Sequence, residues 1–216
     1  MSEKTVEPLS IEDINARIKQ EVCHETINAL TDEALITQYK NTKSVKKNIQ
    51  NLSEVLSEEG LDEETQKRII KNFLLKLVPA GTKGNLRGRK FNEITEQVIT
   101  DLKLHTHSFE IAFEKKCRAF DTSEIPDWYI IEKQTNKIII GMNQLDLWGG
   151  GQQSNRGSKY INSSLPENIK LLCVVCNDIT IKSKNNKAFK LFKTGFENDT
   201  LCYLKNLSGI ITRFFN

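Results

Sequence analysis

The sequence predicts an α/β protein: a three-layer core on a mixed central sheet, preceded by an N-terminal helical lobe. Three observations carry this. Over roughly the first hundred residues the apolar positions recur every three or four residues, as on a helix packed along one stripe. From about Phe109 the period changes to two, in "FEIAF", "WYII", "KIIIGM" and "IKLLCVV", which read as strands. Between the third and fourth of these runs lies a polar, helix-compatible segment long enough for a crossover. That allows a parallel pair in a sheet whose earlier strands are joined by a hairpin.

Taken in order, Ser10-Ile-Glu-Asp13 has the form of a capping box, with Ile14, Ile18 and Val22 following at spacings of four. Further helices are expected over about 41–56 and 62–77. In the second, Ile69, Ile70, Phe73, Leu74 and Leu77 form one stripe, and Pro79 ends it. Next comes "PAGTKGNLRGRKFNEITEQVITDLKL". Its glycines and the cations Lys83, Arg87, Arg89 and Lys90 are expected to form a loop ahead of a helix carrying Phe91, Ile94, Val98 and Leu102 on one side. Glycine permits close backbone approach, and arginine forks suit phosphate oxygens, so this loop either meets a polyanion or is a soluble connector. "EKQTN" (132–136) reads as a hairpin turn and "SNRGSKYINS" as loop or helix. The tail from "NKAFKLFK" onward reads as a basic, partly helical cover. The expected division is a helical lobe over 1–78 and a core over 79–216.

Length and composition fit this plan. With 216 residues, 38% hydrophobic and 27% charged, the chain can bury a substantial core, and disorder is not its default. No apolar run approaches the length of a bilayer span, and Met1-Ser-Glu-Lys lacks the basic-then-apolar pattern of a signal peptide. A soluble, cytoplasmic protein with no membrane partner is the expectation. Five scattered cysteines suit reduced thiols. Net charge is +3, but residues 1–60 hold 11 acids against 7 Lys/Arg while the remainder hold 17 against 24. A basic body behind an acidic front suits a polyanionic ligand held by the later part, though a solvated surface carries the same charge.

The chemistry concentrates after Phe109. In Ile125-Pro126-Asp127-Trp128-Tyr129-Ile130, proline fixes the start of a strand and leaves a carboxylate at its mouth. Such an acid is a natural ligand for Mg²⁺, a hard ion that takes few protein carboxylates and keeps several waters. It also serves simply to cap a turn. Then "KIIIGMNQLDLWGGGQQSNRGSKYI" passes from a buried-looking strand into amides, an acid, a triglycine and an arginine. Gln152, Gln153, Asn155 and Arg156 have the side chains that read base edges, and Lys159 follows. His105-Thr-His107 reads as surface histidines, and Cys173-Val-Val-Cys176, lying in an apolar strand, as buried thiols.

In order and spacing, residues 80–180 resemble the PD-(D/E)XK nucleases, and within them the small type II restriction endonucleases. The helix "GRKFNEITEQVI", the strand "SFEIAF", then "IPDWYI", the turn "KQTN", the strand "KIIIGMNQ" and the run "GGGQQSNRG" follow that family's sequence of parts. The resemblance implies a restriction-endonuclease-like core. It also implies Mg²⁺-dependent hydrolysis of double-stranded DNA at a short specific site, and a homodimer, for which the acidic helices are one candidate surface. Asp127 would bind the metal, with Asp146 or Glu93 sharing it. The chain departs from the family at the third strand, which has neither the acid nor the lysine. An apolar middle residue favours Gly141-Met142-Asn143 as the counterpart, with Asn143 in the lysine's place; sliding by one gives Met142-Asn143-Gln144, with Gln144 there instead. An amide orients water but is no cationic acid or base. Asn92 stands where the family's helix acid often follows the aromatic. A literal alternative, Asp101 with Glu114-Lys115-Lys116, reads better as a solvated strand end. Two further functions fit the same residues: a DNA-binding module with a degenerate site, and an RNA-processing or repair nuclease.

Overall fold

The alternating runs form a five-stranded sheet in the computed structural model, which describes residues 9–19, 23–120, 124–145, 152–163, 165–176, 181–185 and 187–216. Strands β1 (Phe109–Phe113), β2 (Trp128–Glu132) and β3 (Ile138–Gln144) make an antiparallel meander. The 132–136 turn joins β2 to β3, with the Asn136 N–H donating to the Glu132 carbonyl at 2.9 Å. Asn136 has φ 55°, a left-handed value asparagine tolerates better than most residues. Helix α6 (Gln152–Ile161) then crosses over, and β4 (Ile169–Val175) pairs parallel with β3, so the sheet is mixed. A short strand, β5 (Leu201–Tyr203), adds to β4 in parallel. The sequence reading placed no strand there. Three residues are too few to show a period, and all three are buried.

Both sheet faces are covered. Ile138, Ile140 and Met142 of β3 share one apolar cluster with Leu171, Cys173 and Val175 of β4. Tyr160 and Ile161 of α6 join it, as do Phe189 and Phe192 of α7 (Lys187–Glu197) and Ile14 of α1 (Ile11–Lys19). The intervening residues Ile130, Ile139, Leu172 and Val174 are equally buried and point to the opposite face. There α8 (Leu204–Phe215) packs on β4 and β5 through a strongly one-sided apolar stripe. The capping box at α1 is formed: the Asp13 N–H donates to Ser10 Oγ at 3.1 Å, and the Ser10 N–H to Asp13 Oδ2 at 2.9 Å.

Helices α2 (Cys23–Lys40), α3 (Lys43–Glu58), α4 (Glu63–Leu77) and α5 (Ala80–Thr100) complete the described elements of the first hundred residues. Asp62 caps α4 by accepting from the Thr65 N–H at 2.9 Å. Two compact units form: Glu25–Lys90, and the described part of 1–24 together with Phe91–Asn216. By contacts the division lies inside α5, and α1 goes with the sheet because it contributes Ile14 to the sheet's core. Among the described residues no helix is long and apolar enough to cross a membrane.

The glycine-rich stretch departs from expectation. Residues 80–90 are helix, not loop: α5 begins at Ala80, with the Lys83 N–H donating to the Pro79 carbonyl at 3.1 Å. Each helical glycine costs about 1 kcal/mol relative to alanine. Burying Leu86 against Leu35 and Val78 offsets one or two such losses, at about 1.5–3 kcal/mol for a buried leucine. A Cβ built on Gly81, Gly84 or Gly88 would meet nothing within 4 Å, so none of these glycines marks a close backbone approach.

Candidate active site at the β2–β3 mouth

The carboxylate of Asp127 stands where the β2–β3 ladder loses its regular pairing. The Asp127 N–H donates to the Gly141 carbonyl at 3.1 Å, and its own carbonyl accepts from the Glu114 N–H at 2.9 Å. Two residues further along β3, the Asn143 N–H donates to Asp127 Oδ2, at 2.6 Å. Pro126 is buried and supplies no N–H, which starts the strand here. Asp127 is thus turned into the protein beside β3, half-buried.

Burial raises the Asp127 pKa above the usual carboxylate value. The Asn143 N–H and the charge of Arg156 act against that rise, while Glu114 and Glu124 add to it. Removing a charge from water is unfavourable unless it is paired or hydrogen-bonded, and here the compensation is incomplete.

Alternation along β3 separates the two amides. Gln144 continues the row Ile138–Ile140–Met142, on the face covered by α6, and is 7% exposed. This is also the face of Arg156 and Tyr160, whose charges and dipoles are coupled to Asp127. Asn143 turns its side chain to the other face. Its Nδ2 donates to Asn92 Oδ1 of α5 at 2.9 Å, and its Oδ1 accepts from Trp128 Nε1 at 3.1 Å. Asn92 Nδ2 in turn donates to Glu114 Oε1 at 3.2 Å. A polar chain Trp128–Asn143–Asn92–Glu114 therefore runs behind the carboxylate. Only the backbone of Asn143 touches Asp127, so in the favoured Gly141-Met142-Asn143 alignment the amide in the lysine's place points away from the acid.

Helix α6 brings a second group to the same end of the sheet. Glu124, just before Pro126, forms an ion pair with Arg156 Nε through one carboxylate oxygen and with Lys159 Nζ through the other, the latter at 3.1 Å. Lys159 Nζ also lies 5.2 Å from the centre of the Phe120 ring. Tyr160 is fully buried, and its hydroxyl has no hydrogen-bond partner among the described residues. Burial and the nearby Glu124 raise its pKa.

The remaining expected site residues are distributed as follows. Glu93 is exposed on α5, one position beyond Asn92, which is the residue that reaches β3. Lys83, Arg87, Arg89 and Lys90 lie on the first half of α5, in the Glu25–Lys90 unit. There Lys83 and Arg87 line a cleft of about 400 Å³ with Asn28, Thr31 and Asp32. Asn155 is exposed on α6. Gln152 and Gln153 fall on the same helix, but their side chains, like Asp146, Trp148 and the triglycine, lie outside the described residues. Cys173 and Cys176 are buried free thiols, and burial raises the Cys173 pKa well above the ordinary thiol value. Asn92, which stands where the family's helix acid often lies, and Glu114, of the less favoured Asp101 and Glu114-Lys115-Lys116 alternative, join this polar chain. Their signal was present in Phe91-Asn92 and in Glu114 at the end of β1, where it has φ 49°.

Among the described residues no group of three or more His, Cys, Asp or Glu is placed to hold a metal ion. A hard divalent ion that keeps most of its waters needs only one or two carboxylates. Asp127 supplies one such carboxylate at the strand mouth. Comparison of the chain with protein-family models, with curated proteins and with solved structures yields no match.

Proposed function

We propose that the chain is a Mg²⁺-dependent nuclease of the PD-(D/E)XK kind that hydrolyses duplex DNA, and within that class a type II restriction endonuclease acting as a homodimer. One observation carries the reading: the half-buried carboxylate of a Pro-Asp pair sits at the mouth of a hairpin, hydrogen-bonded to the next strand at 2.6 Å and within the field of a cation from the helix that follows. The order helix, three antiparallel strands, helix, parallel strand supports it, since the resemblance implies that order. Of the two ways to align the third-strand motif, Met142-Asn143-Gln144 keeps the amide on the face of Asp127. In this reading Asp127 holds the ion, with Asp146 as the second carboxylate. Gln144 orients water, and α6 meets the DNA through Asn155, Arg156 and Lys159. Bound Mg²⁺ would supply a water of lowered pKa and charge stabilisation at the phosphate.

A second reading is favoured by one specific feature. Met142, fully buried, stands where a catalytic acid belongs, which fits a DNA-binding module whose site has degenerated. Plasmid incubated with the purified protein and Mg²⁺ separates the two. Discrete fragments from the wild type, with Asp127→Asn binding duplex but leaving it whole, is the expected result. Cutting retained in Asp127→Asn removes the proposed site, and retarded but intact DNA with the wild type selects the binding module. Preference for structured RNA or branched DNA over duplex selects a processing or repair nuclease.

A further inference from the structure

The two α6 cations nearest the candidate site are not waiting in solvent. Arg156 and Lys159 converge on one carboxylate, each taking a different oxygen of Glu124. Glu124 is about one-quarter exposed, and the two cations are about two-fifths exposed, so the cluster is sheltered without being sealed. Lys159 is further fixed over the Phe120 ring, which limits the positions its ammonium explores. One helical turn from Arg156 is Tyr160, whose buried hydroxyl has no hydrogen-bond partner among the described residues. The charge of Asp127 is felt at both.

A guanidinium and an ammonium gripping two oxygens of one planar acid is an arrangement that two non-bridging phosphate oxygens can take over, because both donors make charge-assisted hydrogen bonds to any such oxygen pair. We infer that Arg156 and Lys159 form a phosphate-holding pair beside Asp127, and that Glu124 occupies it in the free protein as an internal stand-in for a backbone phosphate of the nucleic acid. This inference rests on the nuclease or DNA-binding reading of the same site and adds to it the group that nucleic acid must displace. It also assigns Arg156 to the backbone and not to a base edge.

The consequence is that Glu124 opposes binding. Burial raises its pKa, but the hydrogen bonds from Arg156 and Lys159 outweigh burial and hold it below the ordinary carboxylate value, so the competitor stays charged at neutral pH. Glutamine at 124 keeps the shape, removes the charge and weakens the hold on both cations. Affinity for a short mixed-sequence DNA duplex, read by fluorescence anisotropy in EDTA, tests this without any need for cleavage. Glu124→Gln is expected to tighten binding about tenfold, and Glu124→Ala to act in the same direction. Arg156→Gln placed on Glu124→Gln is expected to return the affinity to the wild-type level or below. Glu167→Gln removes an equal charge from an exposed loop position and is expected to change affinity less than twofold. Unchanged or weaker binding by Glu124→Gln overturns the inference, and so does a gain matched by Glu167→Gln or one that survives Arg156→Gln. If the wild type cuts plasmid while Glu124→Gln binds no better, only this inference falls. If neither protein binds duplex, both it and the nuclease reading fall.

Discussion

Alanine at Gly141 is the most direct probe of how the sheet supports the site. A Cβ there would lie 1.8 Å from Trp128 Cε2 and 2.1 Å from Cζ2. Non-bonded carbons rest about 3.5–4.0 Å apart, so the indole would have to retreat by roughly 2 Å. It has nowhere to go. Trp128 is 1% exposed, its backbone pairs with Gly141, and its Nε1–H is committed to Asn143 Oδ1 at 3.1 Å. Gly141 does not adopt a left-handed φ, so the backbone itself would accept alanine and gain about 0.5–1 kcal/mol. The clash decides the sign. Overpacking costs typically about 1–3 kcal/mol, and a rigid ring in a filled core belongs at the upper end, so Gly141→Ala is expected to destabilise by about 3 kcal/mol. For a chain of this size that lowers Tm by roughly 6–12 °C. Thermal and urea unfolding measure it. In the Trp128→Leu background the added methyl has room, so the pair should show a favourable coupling of about 2 kcal/mol or more, within the range neighbours reach. A Gly141→Ala protein within about 0.5 kcal/mol of the wild type, the spread of ordinary surface changes, refutes the packing described here.

Two further outcomes follow from the polar groups around that ring. The Asp127 pKa is raised in the folded chain, so the folded state holds this proton more tightly than the unfolded one. Its contribution to stability is therefore full below the unfolded value of about 3.9 and is lost as pH rises through the folded value. Urea midpoints measured from pH 3 upward (~3–7) should show the wild type losing stability relative to Asp127→Asn as pH rises; the opposite slope contradicts the burial of this charge. The chain Asn143–Asn92–Glu114 makes a second case. Asn92→Ala leaves Asn143 Nδ2 and Glu114 short of a partner each and is expected to cost about 1–3 kcal/mol. A double-mutant cycle with Asn143→Ala should be non-additive by more than about 0.5 kcal/mol. Additivity would mean that α5 and β3 are not coupled through these amides.

Much of the fold was legible because its signals are periodic. The runs "FEIAF", "WYII" and "IKLLCVV" mark strands, and the turn at 132–136 fixes a hairpin. Asp127 could be found because proline announces the strand's start. Three things were hidden, each for a physical reason. β5 is too short to show a period, and its strand character comes from pairing with β4. The 80–90 helix runs against the propensity of its glycines and is held by the burial of Leu86, a tertiary effect. The partners of Asn143 could not be read because a one-residue difference in register sends an amide to the opposite face of a sheet. The apolar middle residue favours Asn143 over Gln144 in the sequence; the pairing of Trp128 with Gly141 instead puts Gln144 on the face of Asp127.

That separation bears on why Asp127 is there at all. Stability alone does not call for it. Asparagine offers an oxygen to the same Asn143 N–H without the charge that burial, Glu114 and Glu124 all penalise. On the other side of β3, where only architecture is served, the chain uses neutral amides and an indole, and each finds a partner. On the Asp127 side it keeps an under-compensated carboxylate and a buried hydroxyl that has no partner among the described residues, and it ties up two cations with Glu124. Two faces of one strand end thus follow different rules. A polar network is complete where it holds the sheet to α5 and incomplete where it opens toward α6. Local rules are broken on the side that opens toward α6, which is where the proposed function would place an external cation and phosphate.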